Sequence, residues 1–314
     1  MSEVKMAKPV SLYFDLEEIP VASKPRRQEA GKPARVSKPE QKVPGGRYTG
    51  EWVGRKREGL GTLVWDSGAT YIGEFRDDRP YGEGTLTSAD GTVYKGQFVD
   101  ESANMEGMCF QRDGVYYVGQ WQDSVTHGHG KETHPDGSSY DGEYRKGYKH
   151  GVGVFTWPDG SVFKGQFRNN TANGEGVHTL VDGRKYIGQF KDNQRHGHGV
   201  FDFGDGRMYE GQYITDVKHG VGTMSWPCGK RFEGQWEDGK QHGLGKMMEG
   251  DDKEVKRGRW EDGKFLREEA FDDALIAPPP SAADGDDDAD LWAAPADDPE
   301  DAPALPSQAA RGLP

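Results

Sequence analysis

The sequence predicts an all-β fold, an elongated antiparallel ribbon of β-hairpin repeats with disordered arms at both ends. Three observations carry this. First, Tyr48, Tyr71, Tyr94, Tyr117, Tyr140, Phe163, Tyr186, Tyr209 and Phe232 stand 23 residues apart without a slip, so each block copies one supersecondary unit. Second, counting that aromatic as position 1, position 3 is always Gly and position 5 always aromatic: Trp52, Phe75, Phe98, Trp121, Tyr144, Phe167, Phe190, Tyr213 and Trp236. Third, position 20 is Asp in seven of the nine blocks, usually followed by Gly.

The first element of each block is a strand, because positions 1, 3 and 5 share a period of two and fall on one strand face. The intervening Gly offers no side chain, so a ring from the neighbouring strand is expected to lie flat over its backbone. A loose turn is expected near positions 7 to 11. The second strand runs through a Gly-x-Gly at positions 12 and 14, complete in eight blocks, for example Gly151 and Gly153. The Asp-Gly at positions 20 and 21 is then read as the tight hairpin turn, since that pair tolerates positive φ at both central residues. With two strands per block at a spacing of about 4.8 Å, nine blocks give a ribbon of roughly 85 to 90 Å.

This pattern, Tyr-x-Gly-x-Trp/Phe, then Gly-x-Gly, then Asp-Gly, resembles the MORN repeat. The resemblance covers residues 48–255 and a tenth half-copy, Gly258-Arg259-Trp260 with Gly263, placed as a terminal cap. Block three departs from it at Met105 and Cys109, and block eight at Cys228. The irregular block three reads either as a local fault or as a lateral contact point. The chain divides into a basic, Pro-rich arm at 1–47, the repeat array at 48–266 and an acidic Ala/Pro/Asp-rich tail at 267–314, with both arms expected to be disordered.

Composition agrees with a repeat. The 314 residues include 46 Gly and only 33% hydrophobic residues, too few for a conventional core of that size. Net charge is -13, and it is uneven: 10 basic and 6 acidic residues at 1–47, but 2 basic and 13 acidic at 267–314. Such acidity argues against nucleic-acid binding. Cys109 and Cys228 are five blocks apart, beyond bridging distance, and are expected as free thiols in a reducing compartment. No apolar leader or run of about 18 apolar residues occurs, so the expected location is the cytoplasm.

No catalytic constellation stands out. His127, His150, His196, His219 and His242 recur at position 11, but blocks about 10 Å apart cannot bring two of them onto one metal ion. They read as edge residues, with metal bridging between two chains as the lesser alternative. The Gly-x-Gly pairs lack the Lys-Ser/Thr of a phosphate loop and open no helix. Asp286, Asp288 and Asp290 lack the Gly that a calcium loop needs at its sixth position. An enzyme, a cofactor and a metal site are therefore not expected.

The resemblance implies a stand-alone scaffold of a cytoskeletal assembly, with a ciliary or flagellar axoneme, radial-spoke-like, as the favoured setting and a cortical cytoskeleton next. Partners would be other proteins of that assembly, and homo-oligomerisation is left open. The competing reading is a peripheral membrane adaptor binding anionic phospholipid through Lys24, Arg26, Arg27, Lys32, Arg35 and Lys38. An enzyme-regulatory subunit ranks third. Outside the repeats, Leu12, Phe14, Leu16 and Ile19 form an apolar segment within 11–19, and Leu291-Trp292 interrupts the acidic tail. The first is either incidental or a docking motif that orders on a partner or along the chain's own ribbon, and the second is either solvated tail or a partner-binding linear motif.

Overall fold

The computed structural model describes residues 34–250 and 253–277. Contacts divide the chain into two units, Met1–Ala34 and Arg35–Pro314. The sheet belongs to the second, and of the first only Ala34 lies among the described residues.

The described residues form 21 strands and one short 3-10 turn. Each strand pairs antiparallel with the next in sequence, which gives one open sheet of all-β meander topology. The fifth block shows the unit. Ser139–Arg145 and Tyr148–Thr156 oppose Tyr140 to Phe155, Gly142 to Gly153 and Tyr144 to Lys149, with a bulge between Gly142 and Tyr144. That bulge recurs in every block except the third, where it moves to Gly96/Gln97.

The turns are the reverse of the expectation. The tight turn sits at positions 7 and 8, where consecutive residues take positive φ: Asp77 and Asp78 (49° and 72°), Asn169 and Asn170 (49° and 70°), Lys146 and Gly147 (51° and 86°). Two left-handed residues in a two-residue loop match the right-handed twist of the flanking strands. The Asp-Gly segment instead closes a longer loop. In residues 134–138, His134 N–H donates to Ser138 O and Gly137 N–H to His134 O. Only Gly137 has positive φ (89°). Asp136 serves the loop differently, accepting from the Ser138 N–H at 2.8 Å and the Ser138 hydroxyl at 2.7 Å. Those bonds hold its carboxyl below the usual carboxylate range.

The sheet also exceeds the expected array boundaries. It opens at Val36–Val43, which pairs with Gly46–Val53. Pro39 lies in that edge strand at a register shift between Lys38 and Gln41, a place where its missing N–H costs no ladder bond. At the other end Lys264–Glu268 adds a last strand, followed by the turn Asp273–Leu275 and a buried Ile276. Asp273 binds Arg257 and Lys246 at 2.6 and 2.9 Å, and these two cations hold its carboxyl down to about 2.

Candidate functional site

The two faces of the sheet differ because the side-chain period is two. Of the candidate core aromatics, Trp52 is half-buried and all the others are buried: Tyr48, Tyr71, Phe75, Tyr94, Phe98, Tyr117, Trp121, Tyr140, Tyr144, Phe163, Phe167, Tyr186, Phe190, Tyr209, Tyr213, Phe232 and Trp236. They form one continuous file. Each position-1 ring meets the position-5 ring of its own block edge-on, as in Tyr140–Tyr144 (5.3 Å between centroids, 87°). It then meets the position-5 ring of the next block, as in Tyr140–Phe167 (4.9 Å, 81°). The edge-to-face arrangement is the one that aromatic quadrupoles favour. The file ends on Trp260 and Phe265 of the half-copy.

The glycines serve this file, with one correction. The glycine covered by a ring from the neighbouring strand is that of position 14, and the ring is position 1 of the same block. A Cβ on Gly153 would lie 2.5 Å from the Tyr140 ring, whereas one on Gly142 would first meet the Gly153 Cα at 2.5 Å. Each position-1 tyrosine then donates its hydroxyl to its own block's position-4 carbonyl, at 2.9 Å for Tyr140 to Glu143 O. Burial raises the tyrosine pKa values, that of Tyr48 to about 12.

Position 4 has a role that the ring pattern concealed. It is Glu or Gln in all nine blocks, and in seven of them, all but the second and third, its side-chain oxygen accepts from the position-13 backbone N–H that the bulge leaves outside the ladder. Examples are Gln212 from Val221 (2.8 Å), Gln166 from Glu175 (2.9 Å) and Glu51 from Leu60 (2.8 Å). The constant Glu/Gln was the available signal. Position 8 ties successive blocks: Asn193 Oδ1 accepts from Ala172 N–H (2.7 Å) and Asp216 Oδ1 from Arg195 N–H (3.0 Å).

Two surfaces remain available. On the ring face, position-10 cations lie over the file, as with Lys149 over Tyr140 (5.2 Å) and Arg195 over Tyr213 (5.5 Å). Beside them the position-18 side chains Leu180, Phe203 and Trp226 are only partly buried and Trp157 is exposed. On the opposite face, positions 2, 13, 15 and 17 form rows of mixed polar and apolar side chains. A shallow concavity there is lined by His129, Lys131, Ser139, Asp141, Val152 and Thr156.

The position-11 histidines are half-buried, and His242 lies 3.3 Å from Glu237. No group of three or more metal-ligating side chains occurs among the described residues, and none of their helices is long and apolar enough to cross a membrane. Of the candidate lipid-binding set, Arg35 lies within 3.9 Å of Glu51 and 3.8 Å of Glu58, and Lys38 stacks over Trp52 at 4.6 Å. Lys24, Arg26, Arg27, Lys32, Leu12, Phe14, Leu16, Ile19, Leu291 and Trp292 lie outside the described residues. Cys109 is buried and Cys228 exposed, both free.

The family model described as "MORN repeat" matches residues 48–70, 71–93, 117–139, 140–162, 163–183, 186–206, 209–231 and 232–248. It passes over the irregular third block. No curated protein matches the chain. Among solved structures, the TCP10 domain of Danio rerio CPAP, in complex with a peptide of Danio rerio STIL, is 14% identical with a TM-score of 0.36, over 72% of this chain and 100% of that one. The CPAP G-box domain is 13% identical (TM-score 0.35, 62% and 95% covered). The SAS-4 TCP domain of Drosophila melanogaster, with a proline-rich motif of Ana2, is 9% identical (TM-score 0.31, 53% and 83% covered).

Proposed function

The chain belongs to the MORN-repeat family, and from that premise we propose that it is a non-enzymatic scaffold organising a multiprotein cytoskeletal assembly. One observation carries this reading: the sheet repeats the same surface positions block after block, on a backbone held rigid by the ring file and the position-4 bonds. Identical rungs about 10 Å apart can engage an extended partner at several points, which multiplies weak contacts into avidity. Catalysis calls for one asymmetric constellation, and the array is periodic. The favoured setting is the cytoplasm, at a ciliary or flagellar axoneme. Against the competing lipid reading, Arg35 lies beside the carboxylates of Glu51 and Glu58 and Lys38 over the Trp52 ring.

The test is fractionation of cells carrying the tagged full chain. We expect it to resist detergent extraction and to purify with cytoskeletal or axonemal proteins in fixed stoichiometry. A freely extracted chain with no reproducible partner, or one that sediments with anionic vesicles through residues 48–266 alone, would overturn the scaffold reading.

A further inference from the structure

Among the described residues, one position-10 cation of the ring face has no carboxylate partner. Lys218, at position 10 of the eighth block, holds its Nζ 4.8 Å from the Tyr209 ring centre, 5.1 Å from Trp236 and 5.0 Å from Phe203. It is 4.0 Å from the Met224 sulfur. Equivalent cations in other blocks have carboxylate partners: Arg57 with Asp78, Lys149 with Glu132, Arg195 with Asp216. Asp78 and Asp216 stand at position 8 of the following block, and the residue there for Lys218 is Gly239. Among the described residues no carboxylate reaches ion-pair distance of Lys218. Burial, with Arg207 and Arg195 nearby, lowers its pKa to about 8. A partly buried ammonium among rings, short of negative charge, is a site for an anion.

The rim supplies apolar contact. Phe203 N–H and Arg207 O close one loop, Trp226 N–H and Lys230 O the next. The two loops stack so closely that a Cβ on Gly206 would lie 2.9 Å from Pro227. Phe203 and Trp226 are both partly buried, and the Arg207 guanidinium covers the Phe203 ring at 4.8 Å. The arrangement fits a carboxylate followed directly by large apolar side chains.

The chain contains such a segment, Asp288-Ala289-Asp290-Leu291-Trp292. We propose that this acidic segment docks on the ring face of its own eighth block, with an aspartate on Lys218 and Leu291-Trp292 against Phe203 and Trp226. The tail has the charge for it, with 13 acidic against 2 basic residues at 267–314. It also has the reach. Asp273 is fixed on the opposite face by Lys246 and Arg257, so the tail must round the sheet margin and return two blocks. That is roughly 30 Å, whereas the residues from Ala277 to Asp290 extend up to about 45 Å.

Zero-length carbodiimide crosslinking of the full chain, read by peptide mass spectrometry on a mixture of isotopically light and heavy copies, tests this. The expected product joins Lys218 to Asp288 or Asp290 within one copy. Trp292→Ala, which lies outside the described sheet, should reduce its yield on the order of tenfold, equivalent to about 1.4 kcal/mol. Crosslinks spread evenly over the exposed Lys230, Lys240 and Lys264 with none to Lys218 would overturn the proposal. So would an unchanged yield in Trp292→Ala, or a Lys218 crosslink found only between copies.

Discussion

The ring of Tyr140 lies across the backbone of Gly153 so closely that a methyl group there would sit 2.5 Å from it. The backbone of Gly153 is not in the left-handed region, so its lack of a side chain is a demand of packing alone. Gly153→Ala is expected to destabilise the fold by about 1–3 kcal/mol through overpacking. Asp141→Val, on the opposite face, should stay within about 0.5 kcal/mol. Comparing thermal midpoints decides it, and equal losses would contradict the assignment of the faces.

Tyr144 and Tyr213, at position 5, bury hydroxyls with no hydrogen-bond partner among the described residues. At the same position Trp121 and Trp236 donate to the preceding block, to Gly107 O at 3.2 Å and Gly222 O at 2.9 Å. Tyr144→Phe should therefore leave stability unchanged or raise it, because it removes a desolvated hydroxyl. Tyr140→Phe, which loses the bond to Glu143 O, should cost about 1 kcal/mol. Denaturant midpoints showing the opposite order would refute this.

Met105 holds φ at 58° where other blocks have Gly, and its side chain is 58% exposed. A side chain in the left-handed region costs about 1–2 kcal/mol, and this one gains little burial in return. Met105→Gly is expected to stabilise the chain by about 1 kcal/mol, visible as a higher urea midpoint. A drop in stability would mean that the third block owes its form to that side chain.

Alkaline titration gives a fourth check. Burial raises the Tyr48 pKa from 10.0 to about 12 and lifts other tyrosines of the file further. A group whose folded pKa is raised contributes stability that is complete below its unfolded value and is lost as pH climbs toward the folded one. The melting temperature should therefore be insensitive to tyrosine ionisation below about pH 10 and fall steeply from there toward pH 12. Phenolate absorbance should appear together with unfolding. Phenolate formation at pH 10 with the fold intact would show the rings to be solvent-accessible.

The ring file was legible because aromatic, Gly, aromatic is a period-two signal that only a strand satisfies. The position-4 bond was not, since Gln212 or Glu51 on the outward strand face reads as an ordinary solvated residue. Its purpose depends on a bulge whose place is set by the pairing of two strands. The turns misled for a related reason: Asp136-Gly137 carries the familiar dipeptide, yet only Gly137 is left-handed. The sequence-diverse pairs Asp77-Asp78 and Lys146-Gly147 make the tight turns. Val36–Val43 was concealed by Pro39 and its charges, which an edge strand tolerates. Lys218 became conspicuous only through Gly239, one block away.

In the file of rings each position-1 aromatic meets one ring of its own block and one of the next, so its ring contacts never reach past the adjoining block. Such a molecule has no interior that grows with its size. A globular domain adds volume faster than surface and reaches a ceiling near ~250–300 residues. Here every added block brings the same increment of stability and of free surface, so the number of blocks can change as a measure of distance between attachment points, with no remodelling of the blocks already present.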